Sequence, residues 1–261
     1  MELKKERNIR KIHVTVLIVA IIIIGFTRIH AWLDNYYRAT NRAWSYIDEP
    51  RGGVEVTYKD NTIEYMPKEP KAGLIFYPGG LVETEAYAPL LEQLAENDIM
   101  VIEVEMPHYL ALFDANGARG IQAKYPEITD WYLAGHSLGG AMASLYADRH
   151  QAEYEGLILL AAFSTKDLTD EPDIDVLLVR GSEDKVLSKE KYDESKANLP
   201  EDYKEVVIEG GCHAYFGDYG HQAGDGTPSI SVEEQTKETV DSIVEFITGE
   251  SHEKVQVQAG R

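Results

Sequence analysis

Apolar and polar positions along the chain alternate in two ways. Short, almost unbroken apolar runs end near glycine, proline or polar residues, and most are followed by a longer stretch with apolar residues at helical spacing. Such runs are typical of strands buried on both faces of a sheet, and the intervening stretches indicate amphipathic helices. This alternation predicts an α/β fold, with a mostly parallel sheet, helices on both faces and no large lid domain.

The individual elements follow one another from residue 53 onwards. "GVEVTY" and "TIEYMP" predict a short hairpin, because apolar and polar positions alternate in both. The remaining predicted strands are 72–80, 99–107, 131–136, 156–163, 174–181 and 205–211. The predicted helices are 85–98, 113–125, 138–150, 188–198 and 232–248.

The N-terminus differs from the rest of the chain. Five basic residues precede the apolar run 12–26, whose 15 positions would span roughly 22 Å of a bilayer core about 30 Å thick. With Arg28 snorkelling and a continuation to Leu33, residues 1–33 are predicted to be a basic segment and membrane anchor. A cleaved signal peptide or a buried core helix are the alternatives.

That interpretation divides the chain into four parts. A juxtamembrane stalk is predicted over 34–53, with a helix around "NRAWSYID", followed by a main domain over 54–248 and a polar tail over 249–261. Basic residues are more frequent before the apolar run than after it. The positive-inside bias therefore favours a single-pass protein of the cell membrane whose main domain lies outside the cytoplasm.

Composition narrows the classes of function. The formal net charge is −20, with 45 acidic and 25 basic residues, which argues against a nucleic-acid partner because phosphates need cationic surfaces. Cys212 is the single cysteine, so neither an intramolecular disulfide nor a cysteine-based zinc site can form. Composition does not indicate an oligomeric state.

A serine lies at the junction of a predicted strand and helix, in the sequence Gly135-His136-Ser137-Leu138-Gly139. A sharp strand-to-helix turn strains the serine backbone and crowds the positions two before and two after it, where only glycine fits. The turn also places Ser137 at a helix N-terminus, where free amides favour a developing oxyanion. Ser137 is therefore a candidate nucleophile, with a glycine-rich turn as the plain alternative.

A serine nucleophile needs a base, and the base needs an acid to orient it. The expected order is serine, acid and histidine, with the acid after a buried strand. Asp184 lies just past the strand 174–181, with Glu183 as its rival. Asp173 and Asp175 precede that strand and would lie at the opposite edge of the sheet.

His213 directly follows the last predicted strand and is the candidate base, with His221 as the fallback. His136 is expected to point away from the reaction axis. A metal site formed by His213, Asp218 and His221 is an alternative, but their spacing is not typical of metal ligands. No cofactor and no metal are predicted.

Two backbone amides would stabilise the oxyanion. One is expected from Leu138, the residue after the nucleophile, and the other from Gly80 or Leu81, in the loop after the strand 72–80. A plain Pro-Gly turn is the alternative for that loop.

Four segments together carry a family resemblance: "YPGGLVETEAYAPL", "AGHSLGGAMA", "LLVRGSEDKV" and "EGGCHAYFGDYGHQ". From about residue 54 to 248 the chain resembles the α/β-hydrolase superfamily, and within it the compact group related to dienelactone hydrolases, often carried on a bacterial N-terminal membrane anchor. The resemblance implies Ser137 as nucleophile, Asp184 as acid and His213 as base. This chain departs from the group at Cys212, where relatives carry asparagine. Dienelactone hydrolases use a cysteine nucleophile, so Ser137 points to ester substrates instead.

These observations predict a serine hydrolase that cleaves a small-molecule ester or related acyl compound through an acyl-enzyme. An acyltransferase with the same triad and a non-catalytic surface binding protein with this fold are the alternatives. The loops 108–120 and 214–228 are expected to wall the pocket, and their aromatic residues suggest a small or moderately apolar acyl group.

Overall fold

The computed structural model describes residues 13, 15, 17–28, 35–169 and 174–249. The chain divides into two units, residues 1–36 and 37–261. In the first unit, residues 17–28 are helical and exposed. No helix within the described residues has both the length and the apolar composition needed to cross a membrane. The predicted basic segment, residues 29–34 and most of the polar tail lie outside the described residues.

An eight-stranded sheet forms the centre of the second unit, with strand order β1-β2-β4-β3-β5-β6-β7-β8. The β1–β2 and β2–β4 pairs are antiparallel, and all the other pairs are parallel. The strands are β1 Glu55–Lys59, β2 Thr62–Met66, β3 Ala72–Tyr77, β4 Ile99–Val104, β5 Trp131–His136, β6 Gly156–Leu160, β7 Asp175–Gly181 and β8 Lys204–Ile208. The predicted α/β fold is confirmed.

Helices cover both faces of this sheet. They are α1 Asn41–Asp48, α2 Ala88–Glu96, α3 Leu138–Ala147, α4 Lys189–Ser195 and α5 Val232–Thr248. Successive side chains of a strand point to opposite faces, so Leu74 and Phe76 of β3 pack in the core beneath α2 and α5. Ile75 and Tyr77 belong to the other core, beneath α3 and α4.

The last helix shows why its ends could be read from the sequence. Ser231 caps α5 by accepting a hydrogen bond from the Glu234 N–H, and the Glu234 carboxylate accepts one from the Ser231 N–H. This capping box satisfies two amides that have no partner within the helix. The helix ends at Gly249, whose φ of 71° suits glycine. The predicted limits of 232–248 agree with those of α5.

Residues 37–48 differ from the predicted stalk, because they pack on the main unit. Tyr37 forms a parallel bridge with Val82, the Ala39 N–H donates to a carboxylate oxygen of Glu83, and Ala43 of α1 is fully buried. The helix predicted around "NRAWSYID" is therefore present, but as part of the folded unit. The helix has an apolar face, and such a face is stable only when it packs against other apolar groups. This requirement explains why the segment folds onto the sheet domain and does not stand apart as a stalk.

The helix predicted over 113–125 is wrong. The segment contains successive turns and a short 3₁₀ helix, Gln122–Lys124. The buried Tyr77 hydroxyl holds the turns, because it accepts a hydrogen bond from the Ala118 N–H at 2.7 Å and donates one to the Ala115 carbonyl at 3.1 Å. The run "DANGARG" supplies turn-forming residues that compete with a helix.

Glu103 of β4 is a carboxyl group inside the core beside the sheet. Its side chain is fully buried, and it accepts a hydrogen bond from the Tyr65 hydroxyl at 3.3 Å. Burial raises the pKa of Glu103 well above its usual value, and the negative charges of Glu85 and Glu105 raise it further. The folded protein therefore keeps this carboxyl protonated at a pH where the unfolded chain has lost the proton.

We expect Glu103→Gln to change how stability depends on pH. Above about pH 4.3 the folded wild type holds one proton more than the unfolded chain, so its free energy of unfolding falls by up to about 1.4 kcal/mol per pH unit from this residue. Urea unfolding at pH 5 and pH 8 should show a smaller loss in Glu103→Gln than in wild type. The exposed Glu55→Gln is the control. Equal losses in wild type and Glu103→Gln would contradict a protonated Glu103.

Candidate active site

Ser137 occupies a strained turn between β5 and α3. Its φ and ψ are 51° and −120°, a conformation that a side-chain-bearing residue rarely adopts. A Cβ on Gly135 would lie 2.6 Å from the Gly139 backbone, and one on Gly139 would lie 2.2 Å from the Tyr77 carbonyl oxygen. Glycine is therefore required on both sides of the serine, and the turn holds the Ser137 side chain at the carboxyl edge of the sheet.

Asp184 and His213 come together at the same edge. The Asp184 Oδ2 and His213 Nδ1 atoms are 2.8 Å apart, and both side chains are about 2% exposed. The other carboxylate oxygen of Asp184 accepts hydrogen bonds from the Val186 and Leu187 amides, both at 2.8 Å. These amides fix the carboxylate, which in turn assigns the proton of the imidazole to Nδ1 and leaves Nε2 as the acceptor.

Ser137 and His213 line one cavity of about 260 Å³. The Nε2 atom of His213 is buried and has no hydrogen-bond partner among the described residues. The other lining residues are Leu138, Ala141, Ala161, Ala162, Phe163, Val186, Leu187, Ser188 and Lys191. This cavity is thus bounded by α3, by the loops after β6 and β7 and by α4. No residue of the loops 108–120 and 214–228 lines it, although the sequence predicted that they would.

The candidate oxyanion amides are not equally available. The Leu81 N–H already donates to the Tyr109 carbonyl at 2.7 Å, so Leu81 is not a free donor. Leu138 is the first residue of α3, where an amide has no acceptor within the helix. A Cβ on Gly80 would lie 2.9 Å from the Leu138 side chain, so Gly80 and Leu138 are neighbours. Gly80 is the better of the two candidates in that loop.

The alternative candidates for the acid, the base and the metal ligands make other contacts or lie elsewhere. Glu183 contributes its amide to the Gly211 carbonyl, and its neighbour Asp184 is the residue bonded to the histidine. His221 is exposed. Asp218 forms an ion pair with Arg42 of α1 at 2.7 Å, and no group of three or more histidine, cysteine or acidic side chains among the described residues could hold a metal ion. Asp175 is the first residue of β7, at the other end of that strand, and Asp173 lies outside the described residues.

His136 was expected to point away from the reaction axis, but it lies against His213. The centroids of the two imidazole rings are 4.7 Å apart. The Gly79 N–H donates to the Tyr87 hydroxyl at 2.9 Å, and this hydroxyl lies 2.8 Å from the His136 Nδ1 atom. Sequence order could have drawn attention to His136, because it ends a buried strand directly before Ser137. No sequence pattern near His136 predicts the hydrogen bonds that join it to Gly79 through Tyr87.

Burial sets the protonation of this chain of groups. It raises the pKa of Tyr87 well above its usual value, so the hydroxyl stays protonated and can donate a hydrogen bond to His136 Nδ1. Burial also lowers the pKa of His136 well below its usual value, and the nearby His213 lowers it further. His136 is therefore a neutral imidazole that accepts at Nδ1 and supports the ring of His213.

Comparison with known proteins identifies the family. A sequence profile described as the alpha/beta hydrolase family matches residues 73–237, more than half of the chain. This chain belongs to the α/β hydrolase family. The arrangement of Ser137 after β5 and of His213 after β8 is thus found on a hydrolase fold. No curated protein sequence matches this hydrolase significantly.

Solved structures share the fold of this α/β hydrolase. Est1E from Butyrivibrio proteoclasticus has a TM-score of 0.54 at 18% identity, over 74% of this chain and 98% of the other. TT1662 from Thermus thermophilus has a TM-score of 0.55 at 15% identity, over 75% and 98%. Est1E has also been solved with ferulic acid bound, with a TM-score of 0.54 at 18% identity, over 76% and 97%. Likeness at this level of identity concerns the fold.

We expect His136→Gln to flatten the dependence of stability on acid pH. Below about pH 6.5 His136 becomes protonated in the unfolded chain but stays neutral in the folded protein. The wild-type free energy of unfolding should therefore fall by up to about 1.4 kcal/mol per pH unit between pH 6.5 and pH 5 from this residue alone. Urea unfolding of His136→Gln should lack this part, and the exposed His221→Gln should retain it. Identical pH slopes in wild type and His136→Gln would show that His136 is not buried as a neutral group.

Proposed function

We propose that this α/β hydrolase cleaves a carboxylic ester through an acyl-enzyme on Ser137. The observation that carries the proposal is the buried contact between Asp184 and His213, next to a cavity that His213 shares with the strained Ser137. His213 Nε2 has no hydrogen-bond partner among the described residues, so its lone pair is available for the Ser137 proton.

Acylation is the first step of the proposed reaction. The Ser137 hydroxyl attacks the ester carbonyl carbon, and its proton passes to His213 Nε2 as the new C–O bond forms. Asp184 holds the Nδ1 proton and stabilises the imidazolium. The imidazolium then protonates the leaving alkoxide as the ester C–O bond breaks, which leaves the acyl group on Ser137.

Charge on the carbonyl oxygen would be stabilised by two amides, those of Leu138 and Gly80. An oxyanion donor of this kind contributes about 3–4 kcal/mol to the transition state when it is fixed in advance. Deacylation repeats the sequence with water as the nucleophile, activated by His213. An alcohol in place of water would turn the same site into an acyltransferase.

The cavity favours a compact acyl group. Its volume of about 260 Å³ lies below the range of roughly 300–1,000 Å³ typical of sites for drug-sized ligands. Small side chains line it at Ala141, Ala161 and Ala162, and apolar ones at Phe163 and Leu187. Since Est1E binds ferulic acid on the same fold, an aromatic acid is included among the candidates.

A fluorophosphonate probe tests the nucleophile directly. We expect the wild type to be labelled once per chain and Ser137→Ala not to be labelled. We expect Ser137→Ala to lose at least about 10⁴-fold, and Asp184→Asn about 10³–10⁴-fold, in kcat for p-nitrophenyl acetate. Mass spectrometry of the labelled peptide and initial rates are the measurements.

Matched variants separate these roles from general damage. Ser144→Ala changes a buried serine of α3 whose hydroxyl donates to the Ala141 carbonyl, away from the cavity lining, so it should keep labelling. Glu183→Gln should retain the activity that Asp184→Asn loses. A wild type that is folded but neither labelled nor active would overturn the proposed function and favour a binding protein.

Chain length of the acyl group provides a second prediction. We expect kcat/KM for p-nitrophenyl esters to be highest for acyl chains of about two to six carbons and to fall for longer ones, because each methylene that does not fit costs about 1–3 kcal/mol. Methyl ferulate tests the aromatic case. Adding butanol distinguishes hydrolysis from transfer, since a butyl ester appears only if an alcohol is accepted. Preference for long chains would contradict a small acyl cavity.

We also propose that the N-terminal segment attaches the protein to a membrane. Support comes from the apolar run 12–26 and from the exposed apolar side chains of helical residues 17–28. The full chain should sediment with membranes after carbonate washing, and a chain beginning at Tyr37 should remain in the supernatant. Release of the full chain by carbonate would count against the anchor.

A further inference from the structure

Asp225 lies in the loop that follows His213. Its carboxylate accepts hydrogen bonds from backbone amides of that loop and of the loop that carries Asp184. Its Oδ1 atom accepts hydrogen bonds from the amides of His213 at 3.3 Å, Gly226 at 2.7 Å and Lys185 at 3.4 Å. Its Oδ2 atom accepts one from the Ala214 amide at 2.9 Å. Four backbone amides from three separate places thus converge on one carboxylate.

These amides belong to the two loops that carry the proposed acid and base. Lys185 directly follows Asp184, while His213 and Ala214 form the start of the loop with the base. The packing is close as well, because a Cβ on Gly226 would lie 1.8 Å from the Glu183 carbonyl oxygen. The Asp225 loop is therefore pressed against the acid loop while its carboxylate holds the base loop.

Asp225 stays ionised in the folded protein. Burial would raise the pKa of Asp225, but the hydrogen bonds from Ala214, Gly226 and His213 outweigh burial and keep the pKa below its usual value. The Cys212 thiol lies beside the carboxylate, where burial and the charge of Asp225 raise the thiol pKa to about 12. Asp225 is thus an anion and Cys212 a neutral thiol at neutral pH.

We propose that Asp225 is a positioning residue that sets the separation between Asp184 and His213 and thereby aligns His213 with Ser137. This inference rests on the proposed function. Loops are less precise supports than strands, and a displacement of about 1 Å in a proton-transfer site costs about 10²-fold in rate. A carboxylate that binds both loops removes that freedom.

The experiment compares two substitutions at Asp225 with a carboxylate control from the same loop. Asp225→Asn keeps an acceptor oxygen and the shape of the side chain, and Asp225→Ala keeps neither. We expect kcat for p-nitrophenyl acetate to fall about 5-fold in Asp225→Asn and about 10²-fold in Asp225→Ala, with KM within about 2-fold of wild type. Asp218→Asn, which breaks the ion pair with Arg42, should lower stability but leave kcat within about 2-fold.

The pH profile separates positioning from general weakening. The charged and titratable groups facing His213 are Asp184, His136, Asp225 and the cavity residue Lys191, with Cys212 adjacent in the chain. Removing the anion at 225 makes the imidazolium less stable. The acid limb of kcat/KM should therefore move to lower pH by about half a unit in Asp225→Asn and not move in Asp218→Asn.

A spectroscopic measurement keeps this inference distinct from the proposed reaction. The His213 Nδ1 proton, bonded to Asp184, should give a low-field proton resonance in wild type and Asp218→Asn that broadens or disappears in Asp225→Ala. If that pattern appears in a wild type that is inactive, the positioning role of Asp225 is supported and the proposed reaction fails. Wild-type kcat, pH profile and resonance in both Asp225 variants would overturn the inference.

Discussion

The close approach of two backbones at the start of α3 is the constraint on which the rest of the site depends. Gly139 contacts the Tyr77 carbonyl at the end of β3, and Gly135 lies against the Gly139 backbone one turn away. Both contacts exclude any side chain. They fix α3 against the two central strands, and they force the residue between them, Ser137, into its strained conformation. The position of the candidate nucleophile thus follows from packing that involves no catalytic atom.

Around that turn, polar side chains hold the loops through backbone amides. Asp184 accepts from the amides that follow it, Asp225 accepts from both neighbouring loops, and Tyr87 joins Gly79 to His136. Each of these groups is buried or half-buried, where an unmet hydrogen bond is costly. The same bonds that satisfy the side chains therefore restrict the loops, so that loops at the strand ends acquire the order of the sheet beneath them.

Much of this arrangement follows from patterns along the chain. Apolar runs predicted the strands because burial on both faces leaves a continuous signal, and chain order was enough to expect Asp184 beside His213, which the structure places 2.8 Å apart. Two of the failures share one cause. Segment 113–125 forms turns because Tyr77, far away in sequence, binds its backbone, and Leu81 is lost as a donor because its amide binds Tyr109. Such contacts between a side chain or amide and a distant backbone leave no periodic trace.

The walls of the cavity and the turn beneath it differ in how freely they can change during evolution. Ordinary side chains on the loops after β6 and β7, such as Phe163 and Leu187, bound the space where a substrate would lie. Replacing one of them alters the shape of that space and leaves the glycine contacts under Ser137 untouched. New substrate preferences can therefore arise by drift in the walls, while the reacting groups stay where the backbone holds them.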